Sequence, residues 1–462
     1  MWNASRVQEI FEKVRKHSTA DEVEVIVSGG RSALTRFANN TIHQNVAEEN
    51  SIVSVRTVFG GRTARATTNK FDDDSLKRAV QSAESISRVQ HPDEDLLPCP
   101  DASAFDAAGA KVQRAFAETA ALTPQERAAA VEKMVKVAQR HNLTTAGIFS
   151  CASMMEAVCN SRGLSAYHTQ TSAEISVTML GSNSSGWQKA NSLDVRNLDP
   201  VALAETAACK AVDSQSPREL APGKYTVILE PAAVLDMVGF MFFDWGGQAI
   251  LDERSFLNNR VGTKLFGDAI HIWDDCYHGL QSGAPFDGEG VRRQRVQLVE
   301  AGVVKNLVHA RATAEKIRKS GLASALGEVR ATGHGFALPN EIGEMPLNVV
   351  FQRPDSMPAQ TVEQMIASTE QGVLVTRLWY IREVDPYEKI LTGMTRDGTF
   401  LIEQGKLQHG VLNFRFNQSL LHMLSHVEAM GEPVRASGEE SFDMVVPALK
   451  IRDFNFTEVT KF

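Results

Sequence analysis

The chain lacks any run approaching the roughly 20 consecutive apolar residues of a membrane-crossing helix, so no membrane partner is expected. Its start, Met1-Trp2-Asn3-Ala4-Ser5-Arg6, has no apolar segment behind a basic opening, so no secretory signal is read there. Cysteine is scarce: Cys99, Cys151, Cys159, Cys209 and Cys276 are odd in number and contain no close pair. That excludes a disulfide framework and a knuckle of paired metal-binding thiols, and it reads as free thiols in a reducing cytoplasm. An excess of basic charge is missing as well. The 48 Lys and Arg are outnumbered by 56 Asp and Glu, for a net charge of −8. An extended phosphate-binding surface is therefore not expected, nor a nucleic-acid partner. There is no Gly-x-Ser-x-Gly elbow, no phosphate loop with its Lys, and no short repeat.

What remains is an ordinary globular composition, 43% hydrophobic and 23% charged, in 462 residues. That length suggests two or three domains. The stretch from Lys224 to Arg254 organises the rest. Tyr225-Thr226-Val227-Ile228-Leu229 reads as a buried strand, and Pro231 stands where a helix begins. From Ala232 to Trp245 the residues are apolar on most faces, which predicts a helix buried inside a large domain and ended by Gly246-Gly247. No His occurs between Pro231 and Arg254.

In chain order, helical spacing of Val7, Ile10, Phe11 and Val14 predicts a helix over about residues 4–17. Alternation at Val23, Val25 and Val27 predicts a strand, with hairpin turns at Gly29-Gly30, Asn39-Asn40 and Gly60-Gly61 forming an antiparallel meander. Asp72, Asp73 and Asp74 precede a helix, where acids suit the dipole; a three-Asp metal site is the rival reading. Thr123-Pro124-Gln125-Glu126 spells a capping box with Pro at the first helical position. Short strands are expected around Ile148 and from Met154 to Cys159, a longer one over Glu174–Leu180, and a helix from Asp199-Pro200. The C-terminal half is β-rich, with strands at Asn348–Gln352 and Leu374–Ile381 and hairpins turning at Ala301-Gly302 and Gln404-Gly405. Asn417 is expected to cap a helix closed by Gly431, and Phe442–Phe456 to form the closing strand. The fold class is α+β: an N-terminal antiparallel sheet with flanking helices, a middle α+β segment and a larger β-rich C-terminal domain. The divisions fall at 1–90, a linker 91–104, 105–216, a linker 217–223, and 224–462.

Several constellations carry chemistry on paper. His422 and His426 sit one helical turn apart, but residue 423 is Met rather than a general-base Glu, and exposed histidines are the better reading. His271, Asp274, Asp275, Cys276 and His278 gather four ligand types in an extended segment, where alternate residues face opposite ways. Cys159 and His168 would form a nucleophile pair only with geometry that spacing does not supply; a buried inert thiol is the plainer reading. Two glycine-containing loops, Asn160-Ser161-Arg162-Gly163 and Thr332-Gly333-His334-Gly335, are the candidate substrate contacts, with simple turns as the alternative.

Pro285-Phe286-Asp287-Gly288-Glu289-Gly290, then Arg295 to Val304, then His309-Ala310-Arg311-Ala312-Thr313-Ala314, resemble the C-terminal domain of the TldD/PmbA (TldE) family, which is associated with metallopeptidase activity. Val55-Arg56, Gly60-Gly61-Arg62-Thr63, Thr67-Thr68-Asn69 and Ser75-Leu76 resemble its N-terminal domain; Asn160–Gly163 fits its middle segment and Val446-Pro447-Ala448-Leu449 its closing strand. In that family the TldD-type subunit carries His-Glu-x-x-x-His on the buried helix after the central strand, and a later thiolate completes a zinc site. Neither is found here: the matching helix has no His, and no Cys follows Cys276. Zinc catalysis needs three protein ligands and an open position. The resemblance therefore implies the PmbA/TldE type, with no catalytic or metal-binding residue and no cofactor of its own. It further implies zinc on a TldD-type partner in a heterodimer, a peptide substrate and a cytoplasmic location. A self-paired homodimer that binds peptides or regulates is the alternative. An enzyme using Cys159 or the His271–His278 segment is the third reading.

Overall fold

The computed structural model describes residues 2–460. Helix α1 (Ala4–His17) leads into β1 (Glu22–Ala38), β2 (Thr41–Phe59) and β3 (Arg62–Thr68), followed by α2 (Asp73–Val89). After the proline-rich stretch come α3 (Ala117–Ala120), α4 (Pro124–Arg140), β4 (Thr144–Asn160), β5 (Ser165–Leu180), β6 (Ser185–Ser192) and α5 (Pro200–Asp213). The six strands make one antiparallel sheet in the order β3-β2-β1-β4-β5-β6. Residues 1–90 and 105–216 thus share this sheet, because β1 pairs with β4 along nearly its whole length. Odd-numbered residues of β1, β4 and β5 face the helices. Val23, Val25 and Val27 pack under α1 and α2, and Phe149, Ile175 and Val177 under α4 and α5. The opposite face, with Ile26, Val158 and Ala166, packs on Ala284 and Phe286 of the C-terminal half.

The turns at Asn39-Asn40 and Gly60-Gly61 are where the sequence puts them, with φ of 50°, 60°, 52° and 79°. The turn expected at Gly29-Gly30 is not: β1 runs straight through it. These glycines serve close approach between strands instead. A Cβ on Gly29 would lie 2.2 Å from Ser51 Oγ, and one on Gly30 2.1 Å from the Ser153 carbonyl oxygen. Likewise the short strands expected near Ile148 and Met154 merge into the single long β4, held on both sides by β1 and β5.

The C-terminal half is built on two sheets. A nine-stranded sheet has β7 (Gly223–Leu229) inside it, parallel to Gln371–Val375 and antiparallel to Leu449–Val459. The last strand of the chain is thus an interior strand, with Phe414–Ser419 and Val427–Met430 also pairing to it. A six-stranded sheet contains His271–Asp274, Val296–Glu300, Val349–Gln352 and Met444–Val446. Helix α6 (Pro231–Val238) touches β7 and Leu378–Asp385 of the first sheet and Val434–Ala436 and Met444–Val446 of the second. Lying between two sheets is why it is apolar all round.

Three expectations for this half are corrected. The single helix over Ala232–Trp245 is α6 followed by a tighter turn, Gly239–Asp244; at the junction Gly239 lies against Ser441, whose Oγ would be 1.8 Å from an added Cβ. Gly246 then caps a further short helix, Gly247–Leu251. The expected strand Leu374–Ile381 is two strands, Gln371–Val375 and Leu378–Asp385. Asn417 lies within a strand opposite Thr392; the cap is Ser419, whose Oγ accepts from the His422 N–H at 3.3 Å, and the helix ends at Ser425 rather than Gly431. The chain must turn there to pair Val427–Met430 with Leu449–Ile451.

Candidate functional site

The helix after the central strand is the first place to look for chemistry. Val234, Leu235, Met237, Val238, Met241, Phe242 and Trp245 are fully buried, each contributing on the order of 1.5–3 kcal/mol of burial. Only two side chains between Ala232 and Trp245 are ionisable, and both are occupied. Asp236 Oδ1 accepts the backbone N–H groups of Glu439 and Glu440 at 3.0 and 2.9 Å. Burial pushes this carboxyl up to about 7 against the pull of those donors. Asp244 is paired with the buried Lys389, whose Nζ also lies 2.6 Å from Glu383 Oε1. Burial raises Asp244 too, and Lys389 opposes the rise. No group of three His, Cys, Asp or Glu that could hold a metal ion occurs among the described residues. These residues do not fit a zinc centre.

The Thr332–Gly335 loop is buried throughout and is tied to the six-stranded sheet by the contact of His334 with Asp274. Gly333, at φ 71°, lets it turn with a Cβ position only 2.2 Å from the Arg292 carbonyl oxygen. Thr332 Oγ1 accepts the His309 N–H at 2.8 Å and lies 3.0 Å from His334 Nδ1. His334 Nε2 lies 2.8 Å from Asp274 Oδ1, and Asp274 Oδ2 accepts the Asn348 N–H at 2.8 Å. Burial alone would raise Asp274; His334 beside it holds it below its ordinary value. The Gly335 N–H donates to Asp287 Oδ2 at 2.8 Å, and burial with Glu289 nearby pushes Asp287 up. Glu289 pairs with Arg311 at 3.1 Å. His309 is buried with neither ring nitrogen hydrogen-bonded, and burial together with His334 lowers it to about 4. The loop's side chains therefore face the interior of the fold, and its chemistry is that of a buried polar joint.

The Asn160–Gly163 loop is the β4–β5 turn, with Gly163 at φ 88°. Asn160 is buried; its Oδ1 accepts from Arg162 N at 2.9 Å and its Nδ2 donates to the Pro100 carbonyl at 2.8 Å. Ser161 Oγ accepts the Val23 N–H at 3.1 Å. Arg162 and Gly163 are the exposed members. The Asn160–Gly163 loop reaches the segment 91–104 through Asn160 and Pro100, and Arg311, which pairs with Glu289, reaches it through the Pro98 carbonyl at 2.9 Å.

The remaining constellations separate. Cys159 is buried beside Ser165 Oγ at 3.7 Å, its thiol raised by burial, while His168 projects from the other face of the sheet. Cys276 is pushed up to about 12 by burial, and His278 Nδ1 accepts the Leu280 N–H at 3.2 Å. His271 Nδ1 accepts from Ala301 N at 3.4 Å. His422 and His426 stack with ring centroids 4.0 Å apart. Asp72 is the N-cap of α2, its Oδ1 accepting the Ser75 N–H at 2.9 Å. Sequence reasoning missed Glu344, which accepts from Ala310 N, Gln248 N and Thr313 Oγ1, and missed Lys389 and Arg114. Their partners lie too far along the chain for any spacing signal.

Residues 222–458 match the PmbA/TldA metallopeptidase C-terminal domain, and residues 23–87 match PmbA/TldA metallopeptidase domain 1. The chain is 21% identical over 460 residues to the metalloprotease PmbA homolog of Haemophilus influenzae, covering 94% of each. It is 22% identical to metalloprotease PmbA of Escherichia coli O157:H7, covering 94% of this chain and 92% of that one. Its fold is similar to that of TldE from Thermococcus kodakarensis, with a TM-score of 0.84 at 19% identity over 99% of this chain and 100% of that chain. With its C-terminal half and its first domain both matched, and its fold shared end to end, the chain belongs to the PmbA/TldD family.

Proposed function

We propose that this chain is the TldE-type, non-metal subunit of a cytoplasmic metallopeptidase complex, paired with a TldD-type subunit that brings the zinc. The pair acts in proteolysis or maturation of unfolded and small peptides, and this chain supplies chamber wall, substrate contacts and the subunit interface. One observation carries the reading: the helix after the central strand presents Val, Leu, Met and Phe, and its two carboxylates are committed to the Glu439 and Glu440 N–H groups and to Lys389.

The test is elemental analysis and peptide hydrolysis on the chain purified alone and co-purified with a TldD-type subunit from the same cell. The expected result is no stoichiometric metal and no hydrolysis alone, and about one zinc per pair with hydrolysis. Stoichiometric zinc on the lone chain with metal-dependent hydrolysis overturns it. A stable homodimer that ignores the partner replaces it with the self-paired peptide-binding or regulatory reading.

A further inference from the structure

A cavity of about 350 Å³ opens between the segment 105–115 and β5. Its walls include Phe105, Lys111, Val112, Arg114, His168 and Pro285, and no Asp or Glu among the described residues lines it. In a chain of net charge −8, a cavity whose ionisable lining is mostly basic is selective for an anion.

Two of these basic groups are built into the wall rather than waving over it. Arg114 is 4% exposed and His168 8% exposed. The Arg114 carbonyl accepts the Thr171 N–H at 2.9 Å, which ties its backbone to β5. Its Nη2 donates to the Cys276 carbonyl at 2.6 Å and lies 3.2 Å from that of His278, which fixes the guanidinium plane. That leaves Arg114 Nε, a buried N–H donor, without a partner, and His168 Nε2 is buried without one as well. Glu156 stands opposite His168 on β4, and burial raises its carboxyl against the pull of Arg293, which favours its neutral form. Buried polar groups are nearly always satisfied, and two unpartnered nitrogens on residues that line one cavity mark where a ligand's polar atoms belong, with His168 in the tautomer that carries its hydrogen on Nε2. Arg114 also depresses His168, to about 4, behind the larger effect of burial, so the two side chains are near neighbours and the imidazole is neutral.

The geometry points to this cavity as a carboxylate seat: Arg114 Nε and His168 Nε2 receive the C-terminal carboxylate of a short peptide, while Phe105, Val112 and Pro285 contact its last side chain. This deepens the peptide reading above and rests on it. The apolar half of the lining selects a carboxylate carried on an apolar residue over a bare inorganic anion.

The experiment is calorimetric titration of the full chain, without any partner subunit, with N-acetyl-Ala-Ala-Phe bearing a free carboxylate, with the same peptide as its C-terminal amide, and with inorganic phosphate. The acid is expected to bind at least about tenfold more tightly than the amide, the loss of a charge-assisted hydrogen bond pair. His168→Gln and Arg114→Gln should each erase that difference. Should Arg114→Gln fail to fold, as a thermal melt would show, His168→Gln decides alone. Equal binding of acid and amide, binding of neither, or discrimination that survives in His168→Gln overturns the seat. Phosphate bound more tightly than the peptide acid also overturns it, assigning the cavity to a free oxyanion. Because no partner is present, failure of the subunit pairing is read separately from failure here.

Discussion

His334 Nε2 lies 2.8 Å from Asp274 Oδ1, and neither side chain touches solvent. Sixty positions of sequence separate them, and the pair fixes the Thr332–Gly335 loop to the strand His271–Asp274. Removing one member leaves the other buried without its partner. Asp274→Ala should cost about 3–5 kcal/mol in denaturant unfolding. The sign with pH follows from the depressed Asp274. Its contribution is present above the unfolded carboxylate value, about 3.9, and is lost as pH falls through the lower folded value. The variant should therefore lose less stability than the parent on strong acidification.

His309 gives the opposite kind of group, a base kept neutral. Its folded value of about 4 lies below the ordinary 6.5, so the unfolded chain takes up a proton first. Stability should fall from about pH 6.5 to about pH 4 by on the order of 3 kcal/mol from this residue. His309→Leu removes the titration and loses no side-chain hydrogen bond. Its unfolding free energy should vary less than that of the parent between pH 7 and pH 5; identical slopes would refute the assignment.

Asp236 works on the alkaline side. Its carboxyl, raised to about 7, is most stabilising when protonated. That contribution is present below about pH 4 and is lost as pH rises toward 7, on the order of 4 kcal/mol. Asp236→Asn keeps an oxygen for the Glu439 and Glu440 N–H groups and carries no charge. It should melt at higher temperature than the parent at pH 8 and show little difference at pH 4.

Gly333 is held at φ 71° with backbone against its missing Cβ. Gly333→Ala should destabilise by about 1–3 kcal/mol from the left-handed backbone alone, and by more once the Arg292 carbonyl is displaced. Gly262→Ala is the control: its φ is 82°, yet nothing lies within 4 Å of the added Cβ, so only the conformational part should appear. Equal losses in the two variants would show that the Arg292 contact contributes nothing.

What the sequence made legible is local. The Thr123–Glu126 capping box, Pro231 at the first position of α6 and the Gln404-Gly405 turn each depend on residues within four of one another, and each forms as read. Gly29-Gly30 misled because glycine serves two purposes, turning a chain and admitting a neighbour, and only the neighbouring strands decide which. The β1–β4 pairing and the buried groups Glu344 and Lys389 were not legible, since β4, Ala310 and Asp244 come from distant parts of the chain, and the burial of His309 has no local signal. Asn160–Gly163 forms a turn, with Arg162 and Gly163 exposed, whereas Thr332–Gly335 is a buried segment bent at Gly333, and that burial has no local signal in the sequence.

The strand Leu449–Val459 sits inside its sheet rather than at an edge. A chain emerging from the ribosome therefore cannot complete this sheet until Leu449–Val459 has been made. Until then β7 has an open side, with unpaired N–H and C=O groups inviting a wrong neighbour. The N-terminal sheet, complete by Ser192, has no such wait. Any contact that needs the closed sheet must wait for that strand.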